Sequence, residues 1–584
     1  MKNISTNIIA SIIFGIIVYL FFTLMYPYHL HYQEQYQLFL ITGDYFLSYL
    51  QMPGGFSDYM GGFITQFYFY PSVGSIFIAI LLVSLQQLTW KISQRFNKTP
   101  LYYPLTFIPS LFYWALLCNE NYLPGGLVAL VIVMMFIYFT TQIKDGILKS
   151  VLSLLFVPVL YWLAGGAVVF YVLFSALMIL FLSTRRTTQN IFIVVMQVAL
   201  VISLPYLAKV ILIQYPIIKM WIGVNYYSFP NTFPFYVGGI ILLSISLPII
   251  MNTLPEIKSK PQLILAIQYL IIISAGIFII NKSSDFDKEE VMAYDFYSRM
   301  RQWDKVIAMA DQKAPSSPLS VSCLNLALAK KGLLAEQMFN YYQNGTGGLL
   351  PNFKKDFTIP MVTGEIYYQL GFINTAQRYT FEAMEALPLY QKSARSIKRL
   401  AETNLINGNQ ALASKYLKLL QKTQFYKKWA TAMYKAMEEP QILMRHSEYG
   451  QLMTHKIQND FFFSEGEKDM MLGQLFTANK KNRLVYEYLM AYCLLNKDLN
   501  HFMQYLSLGQ SIGYKQMPQS FQEAFIYGWK MTPQKDQKPI PSFISNKKIQ
   551  SANTFLSMMN LPNAKEALKK DYGNTYWYYL QFRN

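Results

Sequence analysis

Ionisable side chains are scarce in the first half of this 584-residue chain, so the few present mark where chemistry could occur. Residues 27–72 carry His29, His31, Glu34, Asp44 and Asp58, no Lys or Arg, and a high density of Tyr and Phe. A carboxylate in such a stretch can take or orient the proton of an acceptor hydroxyl or amide. Asp44 and Asp58 could also hold an acceptor or a divalent metal, with His29 and His31 assisting. Glu120, in Asn119-Glu120-Asn121, could supply a second acid, and Lys209 and Lys219 could pair with a phosphate. Each has a plainer reading. Glu34 and Asp44 could be solvated interfacial acids, Asn119–Asn121 a hydrated turn, and Pro53-Gly54-Gly55 a simple turn. Lys209 and Lys219 could be snorkelling at helix ends. His29 and His31 have no partner at metal-ligand spacing, so no metal site is assigned.

These residues must be positioned by apolar segments. A spanning helix needs about 20 mostly apolar residues, and nine stretches qualify: 7–26, 73–92, 101–118, 124–142, 148–164, 166–183, 189–208, 235–254 and 262–281. At Ala164-Gly165-Gly166 two stretches either turn tightly or merge into one broken helix. Positive loops stay cytoplasmic. With the N-terminus inside, Lys2, Lys91, Arg95, Lys98, Lys144, Lys149, Arg185, Arg186, Lys258 and Lys260 face inward, and only Lys209 and Lys219 face outward. An odd number of spans then puts residues 282–584 in the periplasm of a cell with two membranes. The first stretch lacks a small-residue cleavage site, which predicts an uncleaved span. Apolar positions Leu38, Ile41, Tyr45, Leu47 and Leu50 in the first outer loop predict helices lying in the membrane interface.

Composition shifts at about residue 282. Residues 1–281 hold twelve basic and six acidic side chains, leaving 38 and 26 for 282–584. The net charge of +18 comes without an Arg-rich cluster, which argues against nucleic acid as a partner. Cys118, Cys323 and Cys493 are too dispersed for a redox or zinc motif, and the last two lie in apolar helical patterns. Beyond Asp287 the chain reads as amphipathic helices of 10–15 residues. Gly332, Gly371 and Gly408 recur 39 and 37 residues apart. The stretch Gly364…Tyr367…Gly371…Ala376…Ala383…Pro388 resembles a tetratricopeptide repeat. Repeats of this kind bury their faces only by stacking. Residues 533–584, with Pro533, Pro539 and Pro541, read as a linker and a cap whose Tyr576-Trp577-Tyr578-Tyr579 end packs on the repeat or at the membrane.

The first outer loop resembles that of the C-type glycosyltransferase superfamily, membrane enzymes that use polyprenyl-phosphate sugars. Members resembling the aminoarabinose and protein-mannosyl transferases show an acidic pair, a short helix and then Gly-Asp-aromatic. Here Glu34 and Gly43-Asp44-Tyr45 keep that order, while Gln33 replaces the first acid and the helix is shorter. Some O-mannosyltransferases of the superfamily also end in tetratricopeptide arrays on the outer side. More narrowly, the Glu-Gln-Tyr-Gln, Gly-Asp-Tyr-Phe and Pro-Gly-Gly elements resemble an uncharacterised family of Bacteroidota inner-membrane proteins.

The expected fold is all-α: a polytopic transmembrane bundle of about nine spans at 1–281, with its long outer loop at 27–72, then a soluble tetratricopeptide-like α-solenoid at 282–532 and a linker with cap at 533–584. The resemblance implies transfer of a lipid-linked sugar at the outer leaflet, with Glu34 and Asp44 catalytic. Asp58, Glu120, His31, Lys209 and Lys219 then bind substrate, and a divalent metal stays open as cofactor. The solenoid would bind an acceptor or an envelope protein. The alternative is a non-catalytic scaffold anchored in the bilayer. Transport is a third option with little support, because no ionisable residue falls deep inside a predicted span.

Overall fold

The computed structural model describes residues 6–583 apart from 97–98, 145, 180–187, 212–213, 230–233, 256–259, 316, 389–390, 458–463, 533–539 and 542–543. Lys2, Lys98, Arg185, Arg186 and Lys258 of the charge bias, the end of the 166–183 stretch, and Pro533 and Pro539 lie outside the described residues. Every regular element among the described residues is helical. Among the described residues, seven helices are long and apolar enough to cross a membrane: Thr6–Met25, Pro71–Ser93, Gly125–Gln142, Ile147–Leu177, Thr188–Ile211, Phe235–Thr253 and Pro261–Ser283.

The chain forms two compact units. The first comprises Met1–Glu289 together with Leu387–Ala394 and Gln421–Lys428. Its helices are α1 (Thr6–Leu20, continued by a π-helical turn to Met25), α2 (Pro27–Gln35), α3 (Gly43–Leu50), α4 (Gly55–Gln66), α5 (Pro71–Ser93) and α6 (Ile108–Leu117). They continue as α7 (Gly125–Gln142), α8 (Ile147–Ala164), α9 (Val168–Leu177), α10 (Thr188–Ile211), α11 (Ile217–Ile222), α12 (Phe235–Thr253) and α13 (Pro261–Ser283). A 3-10 segment, Pro100–Phe107, leads into α6, so the 101–118 stretch is helical but changes helix type midway.

Burial in α1 follows helical periodicity. Ser11, Phe14 and Val18 face inward, while Ile9, Ile13, Ile16 and Ile17 stay exposed, as lipid-facing positions do. The buried side carries polar groups that satisfy one another. Ser11 donates to Gln86 at 2.6 Å, and Gln86 donates to Thr106 at 2.7 Å. Gln87 donates to both Ser11 and the Tyr103 hydroxyl, at 2.7 and 3.0 Å.

The ends of these helices gather in two sets. In one, Tyr103 donates to the carbonyl of Asn7, Tyr102 to that of Pro255, and Lys91 lies over the Tyr138 ring. In the other, Gly54 N–H bonds Trp162 O, Tyr161 bonds Met220 O, Ser228 N–H bonds Asn121 O, and Tyr26 bonds Cys118 O. Between α8 and α9 the backbone breaks at Gly165, where φ is +58°.

The second unit comprises Glu290–Ala386, Arg395–Leu420 and Trp429–Asn584. One turn recurs in it five times. Arg301, Gly332, Gly371, Gly408 and Lys497 have positive φ just beyond a helix end. The next residue bonds back five positions: Gln302 to Tyr297, Leu333 to Leu328, Phe372 to Tyr367, Asn409 to Asn404 and Asp498 to Cys493. This is the Schellman closure, which satisfies carbonyls the helix leaves free. Gly364 lets the helices Thr358–Leu370 and Ile373–Glu385 approach, since a Cβ there would lie 3.2 Å from Tyr379 Cβ. Tyr367, Ala376 and Ala383 are fully buried in that pair. The aromatic C-terminus packs within this unit, where Trp577 donates to Glu523 O at 2.7 Å and Tyr579 to Leu495 O at 2.9 Å. All three cysteines are free and buried.

Arg301 also carries a load in the core. Its guanidinium bonds Glu365 at 2.8 Å and Glu448, while Arg399 bonds the other Glu365 oxygen and stacks 3.5 Å from the Tyr368 ring centroid. These cations hold the buried Glu365 carboxyl down at about 2 against the upward push of burial. Removing one partner of such a cluster leaves charge stranded out of water. Glu365→Ala is expected to cost about 3–5 kcal/mol, read as a lowered thermal midpoint of the purified full-length protein.

Candidate functional site

The site begins where the first span ends. Pro27 fixes the first turn of α2, because its missing N–H is one the helix could not pair anyway. The next two N–H groups, of Tyr28 and His29, bond the Glu289 carboxylate at 2.7 and 2.8 Å. That cap is supplied from 260 positions away, and an anion there suits the helix dipole. Burial nevertheless pushes the Glu289 carboxyl up to about 8. His29 contacts the Leu117 carbonyl through Nε2 at 2.9 Å, and burial pushes its imidazole down to about 4. A neutral imidazole donating to a carbonyl is a structural contact. His31 is half-buried beside the Tyr28 ring, 6.4 Å between centroids.

Gln33 and Glu34 follow, both buried. Gln33 Nε2 donates to the Tyr122 carbonyl at 2.9 Å and approaches the Asn119 and Glu120 carbonyls at 3.3 and 3.4 Å. An ionised acid at this position would be repelled by the three carbonyls, whereas the amide N–H donates to them. Glu34 is 5% exposed, and both its carboxylate oxygens accept from the Tyr426 hydroxyl, at 3.0 and 3.2 Å. The surrounding cavity is about 20 Å³ and is lined by Gln37, Phe39, Gln66, Ala394 and Thr423–Tyr426 besides Glu34, room for about one water. Among the described residues, neither polar atom of the buried Gln66 amide has a partner.

The other acids lie elsewhere. Asp44 is exposed in the first turn of α3, a helix with no buried residue. Asp58, on α4, accepts from Asn225 N at 3.0 Å and Asn225 Nδ2 at 2.7 Å. Burial pushes its carboxyl up to about 7, opposed by the Asn225 bonds and the Lys219 charge. Glu120 pairs with Lys288 at 2.8 Å and lines a different, open pocket of about 420 Å³ with Cys118, Asn119 and Lys282–Lys288. Lys209 is exposed in the last turn of α10. The Lys219 charge is thus felt at Asp58, while Asp44 and Glu120 stay out of the Glu34 cavity. Among the described residues, no group of three or more His, Cys, Asp or Glu is arranged to hold a metal ion.

Sequence reasoning missed Gln66, Asn225, Glu289 and Tyr426. Gln66 was visible as an amide in an aromatic run, but nothing local ties Tyr426 to a residue 392 positions away.

The raised and lowered groups give opposite pH limbs. Glu289 binds its proton more tightly folded than unfolded, so its contribution falls as pH rises from about 4.5 to 8. His29 binds its proton less tightly folded, so its contribution falls as pH drops from about 6.5 to 4. Glu289→Gln should flatten the alkaline decline in melting temperature and leave the acid limb, and His29→Gln should do the reverse.

No curated protein and no solved structure matches the chain. The sequence model of the family of unknown function DUF6057 matches residues 2–583, and the chain belongs to that family.

Proposed function

We propose that this chain is a glycosyltransferase-like membrane protein, acting on a polyprenyl-phosphate sugar at the outer leaflet of the inner membrane. The carrying observation is Glu34, a buried carboxylate one short helix past the first span that already accepts a hydroxyl hydrogen bond from Tyr426. In the proposed step an acceptor O–H attacks the anomeric carbon and its proton passes to Glu34. The bond from that carbon to the phosphate oxygen breaks, and its electron pair leaves with the polyprenyl phosphate. Asp58 and Lys219 would act at a separate polar position, and Asp44 from the exposed rim.

The two sets of helix ends support nine traverses. Residues 7, 91–103, 138 and 255 share one set, while 26, 54, 118–121, 161–162, 220 and 228 share the other. In this reading α8 and α9 are two spans reversing at Gly165, and Pro100–Leu117 is a third crossing that changes helix type. The inward bias of Lys and Arg then puts the N-terminus in the cytoplasm and the C-terminal unit in the periplasm. The fivefold Schellman turn supports a tetratricopeptide-like stack that presents an acceptor or an envelope partner.

A scaffold reading is favoured by one observation: the Glu34 cavity holds little more than a water, and the other acids are engaged elsewhere. The readings separate on Glu34→Gln, which keeps the Tyr426 bond and removes the base. Expression at wild-type level with loss of the envelope glycan made in the parent strain is the expected result. Full complementation of a deletion strain by this variant rejects the enzymatic reading.

A further inference from the structure

Residues 421–428 run from the end of the helix Gln410–Leu420 into the first turn of Lys427–Glu438, and they belong to the first unit. Three contacts fix them there. The Lys422 carbonyl accepts from Ile41 N at 2.8 Å. The Phe425 ring lies flat on Phe69, 5.2 Å between centroids and 3° between planes, with Phe67 and Tyr70 edge-on at 5.7 and 5.5 Å. The Tyr426 hydroxyl covers both oxygens of Glu34.

Two features are poorly explained by packing alone. Gln66 is only 6% exposed, faces the Glu34 cavity, and has neither amide atom paired among the described residues. Burying an amide without partners is costly, so the position serves something other than this closed arrangement. The segment also offers the groove a hydroxyl on the carboxylate and a flat ring on an aromatic face. Those are the two things a sugar and its acceptor would offer: a hydroxyl to deprotonate, and the apolar face of a ring to stack.

We propose that segment 421–428 is a built-in ligand mimic and lid, with Tyr426 holding an acceptor hydroxyl's place on Glu34 and Phe425 holding a sugar ring's place on Phe69. Withdrawal of the segment opens the groove, and Gln66 then meets a hydroxyl or acetamido group of the ligand with its donor and acceptor. This rests on the glycosyl-transfer reading. It adds a binding residue, a stacking position and a closed state to it.

The test uses the full-length protein in a deletion strain, reading the envelope glycan profile and the melting temperature of purified protein. Gln66→Met removes the orphaned amide at similar length; it is expected to keep or raise the melting temperature while cutting the glycan signal about tenfold, the loss of one good ligand hydrogen bond. Ile41→Cys with Lys422→Cys allows the segment to be tied down by a disulfide or a short bis-maleimide. The tied protein should lose the glycan, and reducing the disulfide should restore it. Full activity of the tied protein, or of Gln66→Met, overturns the proposal. A null Glu34→Gln beside an active tied protein rejects the lid alone, whereas an active Glu34→Gln rejects the underlying reaction.

Discussion

Three glycine backbones in contact hold the segment between α1 and α5 against the ends of α8 and α11. Gly54, Gly165 and Gly223 all have positive φ, at +74°, +58° and +70°. A Cβ on Gly165 would lie 2.9 Å from Gly223 Cα, and one on Gly223 would lie 2.6 Å from Gly165 Cα. No L side chain fits such an approach, and none easily adopts the backbone. With the chains this close, Gly54 N–H reaches Trp162 O, Ser57 reaches Leu163 O, and Trp162 Nε1 reaches Leu50 O. Polar backbone near a membrane must find partners inside the protein, and here the break between α8 and α9 supplies them. This contact lies at the start of α4, the helix that carries Asp58 and Gln66.

Electrostatics then separates the acids. Each carboxylate in this low-dielectric region needs its own donors, because an unpaired charge out of water is costly. Glu289 takes two helix N–H groups, Asp58 takes Asn225, Glu120 takes Lys288, and Glu34 takes the Tyr426 hydroxyl. Distinct partners place them at distinct positions. Of the acids grouped from the sequence, Glu34, Asp58 and Glu120 therefore take three separate partners in space, while Asp44 stays exposed.

That outcome shows what a sequence can carry. Long apolar runs announce themselves, since nothing else places 20 such residues together, and the Gly332, Gly371 and Gly408 turns are legible because only glycine adopts that backbone cheaply. Arg301 and Lys497 make the same turn without glycine, so the glycine spacing alone does not mark their turns. The change of helix type at Phe107 and Ile108 has no compositional signature. For the site, Glu34 stood out as the first acid beyond the first span, and the Gln33 substitution was visible although its reason was not. The reason needs the 119–122 carbonyls, which reach it only through tertiary folding. Glu289 and Tyr426 act across 260 and 392 positions, and no local pattern encodes such pairings.

A single carboxylate also limits the chemistry the Glu34 cavity can host. Transfer with retention through a covalent intermediate uses two carboxyl groups about 5–5.5 Å apart, one as nucleophile and one as acid. Among the described residues, the lining of the cavity supplies one acid and the amides of Gln37, Gln66 and Gln424. One base suffices for direct displacement, because a phosphate leaving group departs without needing a proton. The side-chain inventory of the cavity is thus compatible with the proposed direct displacement from a phosphate-linked donor. The amides, neutral and able both to donate and accept, suit the recognition of hydroxyl groups in the proposed reading.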